Sequence, residues 1–88
     1  MARTPEGRVK DAVVKVLKEF GVYHFFPIGG AYSKVGVPDV VCCYNGSFIA
    51  IECKAGKNTP TALQEREIRL IKEAGGIALV VNETNLND

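Results

Sequence analysis

The chain has one histidine, one methionine and no tryptophan among its 88 residues, and its net charge is only +1. So small a charge gives no field that argues for nucleic acid. It does not argue against it either, because an acidic metal site can offset basic residues elsewhere. No apolar run approaches the length of a membrane span. The first six residues, Met1 to Glu6, hold no apolar h-region, so a secretory signal is excluded and an intracellular protein is expected. The three cysteines, Cys42, Cys43 and Cys53, are odd in number and irregular in spacing, which excludes a disulfide framework. No CxxC suggests zinc, so the cysteines read as small buried hydrophobes. There is no internal repeat, no low-complexity stretch and no GxxxxGK[ST] phosphate loop. The length suits one domain, residues 1–88, with a core small enough that a partner subunit would help it.

What is present reads as helix, strand, hairpin, helix, strand. Thr4 can cap a first helix with Pro5 at its first position. Val9, Ala12, Val13, Val16, Leu17 and Phe20 recur at helical spacing, and Gly21 ends the run. Tyr23 to Pro27 reads as a short aromatic strand, followed by a glycine-containing loop through Gly36. Val37 to Tyr44 and Ser47 to Ala55 are β-rich runs joined by Asn45-Gly46, a strong signal for a two-residue hairpin. Both faces of these strands are apolar, which predicts central strands covered on both sides. A second helix follows Lys57 to Pro60, with Leu63, Ile68, Leu70, Ile71 and Ala74 expected on its buried side. Gly75-Gly76 stops it, Ile77 to Val81 is expected to be a buried strand, and 82–88 a loose tail.

The hairpin turns spacing into geometry. If Tyr44 pairs with Ser47, opposed positions sum to 91, and Asp39 falls across from Glu52. Opposed Cβ atoms lie about 5 Å apart on one face. Lys54, two residues beyond Glu52, shares that face. Two carboxylates so close repel each other, and burial worsens the conflict. A hard divalent cation would remove it, and would also suit a substrate phosphate oxygen. The plain alternative is a salt-bridge network at the end of a sheet. Two further residues weigh against it. Glu6 lies on the apolar stripe of the first helix, where a carboxylate needs a partner, although a glutamate near a helix N-terminus is also favoured by the dipole. Gln64 precedes Ile68 and Ile71 by four and seven residues, which turns it inward; an exposed or capping amide is the competing reading.

Pro38-Asp39 followed by Glu52-Cys53-Lys54 resembles the PD-(D/E)xK nuclease superfamily, whose core order αβββαβ matches the inferred elements. Gly36-Val37-Pro38-Asp39, Ile51-Glu52-Cys53-Lys54, and Thr61 with Gln64 resemble more closely its virus-type replication-repair nuclease (VRR-NUC) domain, from about Glu6 to Val81. The resemblance implies an α/β fold, a restriction-endonuclease-like core with a central mixed sheet flanked by helices. It implies Mg²⁺ or Mn²⁺ held by Asp39 and Glu52 with the Cys53 backbone carbonyl, and Lys54 as catalytic lysine. Glu6 would match the family's first-helix glutamate and join the metal ligands, and Gln64 would match its helix glutamine. Stand-alone members resemble homodimeric resolvases of branched DNA. Relatives often carry several arginines in the loop before the motif; this chain has only Lys34.

His24, in a strand, reads as structural. Tyr23, Phe25 and Phe26 read as core or a dimer surface. Tyr32, in the loop, is the better candidate for touching DNA. Arg3, Arg8, Lys10, Lys34, Lys57 and Arg66 flank the inferred site, and each taken singly reads as ordinary surface; Lys34 and Lys57 are the preferred phosphate contacts. The expectation is therefore a Mg²⁺- or Mn²⁺-dependent endonuclease acting on branched DNA as a homodimer, with Asp39, Glu52, Lys54 and Gln64 catalytic. The rivals are a flap, nicking or restriction-type nuclease, and a non-catalytic nucleic-acid-binding module of the same fold.

Overall fold

The computed structural model describes residues 4–28 and 35–85. Tyr32 and Lys34 lie outside the described residues. Helix α1 spans Pro5–Glu19 and opens as its sequence dictates: Thr4 Oγ1 accepts from the Gly7 N–H at 3.0 Å, with Pro5 at the first position. It closes in a Schellman turn. Gly21, at φ 65°, donates to the Lys18 carbonyl, and Val22 donates to the Leu17 carbonyl. Strand β1 is Tyr23–Phe25, β2 is Val40–Tyr44 and β3 is Ser47–Cys53. Helix α2, Ala62–Glu73, returns the chain to β4, Ile77–Val81.

The four strands form one mixed sheet in the order β1-β2-β3-β4, antiparallel except for the β3–β4 pair. Asn45 and Gly46 both take positive φ, 52° and 79°, as a type I′ turn requires. The turn fixes the register, and the pairs from Tyr44↔Ser47 to Val40↔Ile51 keep the spacing expected from sequence. The ladder ends there, three residues short of the β2 start expected at Val37. Residue 38 would come next to bond with Cys53, and a proline has no N–H to give.

Val9, Val13 and Leu17 of α1 pack on Val40, Cys42, Ile51 and Cys53, and these residues form the core. Helix α2 covers the other face incompletely. Leu63, Leu70 and Ala74, expected inside, are exposed, and the one buried residue of the helix is Glu67. The inward row is Gln64, Glu67, Ile68 and Ile71, one residue over from the most apolar stripe. The bonds of Gln64 described below set that rotation. Strand β4 is also less buried than expected, with Ile77 and Leu79 exposed, because it is the edge strand and α1 lies over its neighbours. The tail begins with structure: Asn82 Oδ1 accepts from Thr84 and Asn85, and Asn85 Nδ2 donates to the Val80 carbonyl.

Candidate active site

The end of the ladder is where the charged residues meet. The backbone N–H of Lys54 donates to Val81 of β4 at 2.9 Å, so by strand alternation the N–H and C=O of Cys53 turn toward β2. Pro38 cannot continue the ladder there. Asp39 leaves it and uses its side chain instead: Oδ2 accepts the Cys53 N–H at 2.8 Å. Pro38 brings no N–H to the Cys53 carbonyl. Asp39 is thus not a simple cross-strand partner of Glu52, as the extended register would have it. It caps the broken ladder, and its charge still acts on Glu52.

Glu52 is 3% exposed. Burial, then the neighbouring Asp39 charge, push its carboxyl up to about 7 from 4.5, against the opposing pull of Lys54. Lys54, also buried, places Nζ 3.7 Å from Glu52 Oε1 and 3.8 Å from Glu6 Oε1. Both separations are too long for good hydrogen bonds, so the ammonium acts as a point charge between two carboxylates. The structure thus brings Glu6 to the site through Lys54, from the first turn of α1.

Gln64 carries two jobs in one side chain. Its backbone N–H donates to Thr61 Oγ1 at 3.2 Å and its Oε1 accepts the Thr61 N–H at 2.9 Å, closing a capping box. The amide orientation is fixed by that bond, so Nε2 faces the sheet and donates to Glu52 Oε1 at 2.9 Å. Gln64 holds Glu52 in place, and α2 is locked to β3 at the site.

The donor set fits a hard divalent cation. Asp39 commits Oδ2 to Cys53, and Glu52 commits Oε1 to Gln64. Glu52, buried beside Asp39, is pushed up to about 7 in spite of Lys54, a charge conflict that a cation would relieve. Among the described residues no group of three His, Cys, Asp or Glu side chains is placed to hold an ion, so Glu6, expected among the ligands, pairs with Lys54 instead of joining Asp39 and Glu52. Mg²⁺ takes one or two carboxylates and keeps several waters. The Cys53 thiol is not a donor: it points into the α1 core, and burial with the adjacent carboxylates pushes it up to about 12. Cys42 and Cys53 are buried as expected, but Cys43, expected to be buried as well, is exposed.

Of the basic residues singled out from sequence, Lys57 is exposed on the turn after β3 and Arg66 pairs with Glu67 at 3.7 Å. Arg8 lines a separate hollow with Glu83. Lys10 had no special standing in the sequence, yet it lines the cleft of about 190 Å³ that holds Thr4, Glu6, Asp39 and Cys53. The signal was there: Lys10 stands four residues after Glu6, on the same helix face. Gly36 also shows a role its sequence did not reveal. At φ 84°, it packs so tightly on the first turn of α2 that a Cβ would sit 2.7 Å from the Leu63 carbonyl.

The α/β fold is shared with VRR-NUC domains. A solved VRR-NUC domain superposes with a TM-score of 0.81 at 21% identity, covering 97% of this chain and 92% of its own. A second VRR-NUC domain protein gives 0.75 at 20% identity, over 96% of this chain and 82% of its own. The model of the archaeal Holliday junction resolvase (Hjc) family matches residues 8–81, and the chain belongs to that family. The Hjc Holliday junction resolvase of Archaeoglobus fulgidus has the same fold, with a TM-score of 0.62 at 22% identity over 85% of this chain and 65% of its own. No curated protein sequence matches significantly. The protein is thus a nuclease of the Holliday-junction-resolvase type. Among the described residues no helix is long and apolar enough to cross a membrane.

Proposed function

We propose that the protein is a Mg²⁺- or Mn²⁺-dependent endonuclease that hydrolyses phosphodiesters in branched DNA. The observation that carries this reading is the convergence at the broken ladder: Asp39 and Glu52 sharing one small volume, with the Lys54 ammonium 3.7 Å from Glu52. Asp39, Glu52 and the Cys53 carbonyl would hold the ion. When bound, it supplies Lewis-acid polarisation of a phosphate oxygen and a more acidic water. Lys54 stands where it can orient that water and offset charge developing on the phosphate. Glu6 keeps Lys54 turned into the site, and Gln64 keeps Glu52 from swinging away. Both act on groups that touch the reacting atoms.

A homodimer would present two such sites to the two strands of a junction. An apolar groove on the α1 side, lined by Val16, Phe20, Tyr44, Ile49 and Leu79, supports this, since so small a domain leaves it uncovered. The activity test is incubation of the protein with labelled four-way junction and with linear duplex, in Mn²⁺ and in EDTA, beside Lys54→Ala. Metal-dependent cleavage of the junction by wild type, lost in Lys54→Ala, is the expected result. Equal inertness of the two proteins removes the enzyme reading, and equal cleavage of duplex and junction removes the branch preference. A monomer in sedimentation at micromolar concentration removes the dimer.

A further inference from the structure

Lys54 is held between Glu6 and Glu52, so the cation at the centre of the site is already engaged by carboxylates. A nucleic acid strand entering the cleft brings phosphates that need positive charge of their own. Lys10 is placed to supply it. Its side chain lines the cleft with Thr4, Glu6, Asp39 and Cys53.

The ammonium is not loose. It sits 5.0 Å from the centroid of the Phe26 ring. That ring meets His24 edge-on at 5.9 Å, and His24 Nδ1 bonds the Val22 carbonyl at 2.9 Å. A carbonyl only accepts, so Nδ1 carries the proton and the imidazole is fixed. The lone histidine thus steadies Phe26, and Phe26 steadies Lys10. A cation resting on a ring face is held by the ring quadrupole while its N–H donors stay available to an anion on the other side. This is a prearranged donor rather than a solvated surface lysine.

We propose that Lys10 is a phosphate clamp: perched on Phe26, it binds a backbone phosphate of the DNA strand lying in the cleft, on the α1 side of the Asp39–Glu52 pair. The inference rests on the nuclease reading and adds a substrate-binding residue to it. Lys10 contributes binding charge, not chemistry, so its loss raises KM and leaves kcat within about threefold.

The test is equilibrium binding of a labelled four-way junction in EDTA, where no cleavage occurs, measured across a range of KCl. Each phosphate contact adds about 0.9 to the slope of log affinity against log salt. Lys10→Met is expected to lower that slope by about 0.9. Lys10→Arg should keep it, and Phe26→Leu should weaken binding with the slope retained, because the charge is still present. A structural role for Lys10 would change melting temperature without moving the slope. If wild type binds and cleaves the junction while Lys10→Met shows the wild-type slope, the clamp is overturned and the nuclease reading stands. If wild type shows no salt-dependent binding to DNA, both are overturned.

Discussion

Replacing Glu52 by glutamine is expected to abolish cleavage and, in the metal-free protein, to remove a specific dependence of stability on pH. The Glu52 carboxyl rises from 4.5 to about 7 in the fold, pushed first by burial, then by Asp39, with smaller contributions from Glu6 and an opposing one from Lys54. The folded state therefore binds this proton more tightly than the unfolded chain. Its stabilising contribution is complete below pH 4.5 and is lost as the pH rises through 7. At about 1.36 kcal/mol for each pKa unit, the wild type should gain roughly 2.5 kcal/mol from this group between pH 8 and pH 5. For a domain of this size that is roughly 10–20 °C in melting temperature. The glutamine variant has nothing to titrate there. Its new carboxamide oxygen still accepts from Gln64, so the gain at pH 8 is offset only by the weaker pairing left to Lys54. The assay is urea or thermal unfolding of both proteins in EDTA at several pH values, with the difference between them taken at each pH so that all other titrations cancel. A difference that stays constant from pH 5 to pH 8 would refute the rise of the Glu52 carboxyl.

Other expectations follow from the same geometry. Because a bound cation must displace the Glu52 proton, Mg²⁺ affinity measured by calorimetry should rise with pH from 5 to 7 and level off above it, with about one proton released per ion at pH 6; pH-independent binding without proton release would argue that the ion sits elsewhere. Gln64→Leu removes both the reciprocal cap and the bond to Glu52, so it should destabilise by about 1–3 kcal/mol and lower kcat with little change in KM. Thr61→Ala, which loses the cap alone, should show the stability loss with activity retained; equal kcat losses in the two variants would leave Gln64 a cap only. Gly36→Ala combines a left-handed φ with a Cβ driven into the Leu63 carbonyl, and should cost about 2 kcal/mol or more in unfolding experiments; a neutral result would mean that this loop does not rest on α2.

Much of this was legible in the residues because local rules agreed. Thr4-Pro5, Gly21, Asn45-Gly46 and Thr61 with Gln64 each act within four residues of themselves, and each does in the structure what its chemistry dictates. The hairpin register followed from a two-residue turn, and the register placed Glu52 and Lys54. What local rules could not supply was the relation of one element to another. Apolar spacing assigned Leu63 and Leu70 to the inside of α2, but the rotation of that helix is set by a glutamine bonded to a glutamate on β3. The burial of Ile77 and Leu79 depended on how far α1 reaches across the sheet, which no periodicity records. Lys10 looked like surface because its meaning comes from Phe26, sixteen residues away and beyond a turn.

The position of Asp39 shows how a backbone irregularity makes the site. Had residue 38 been able to donate, the β2–β3 ladder could have run on, and Asp39 and Glu52 would face each other as an ordinary cross-strand pair with the Cys53 amide and carbonyl both consumed. The ladder stops at Val40, and the Cys53 N–H takes the Asp39 side chain as its acceptor. One hydrogen bond thereby satisfies a buried donor and orients a carboxylate. The opposite wall uses the same economy, with a helix cap that also grips Glu52. Both carboxylates are thus fixed through one oxygen each by groups that would have needed partners anyway. The unfavourable burial of Glu52 is the residual cost of that arrangement, and it is the part of the energy that a bound cation would relieve.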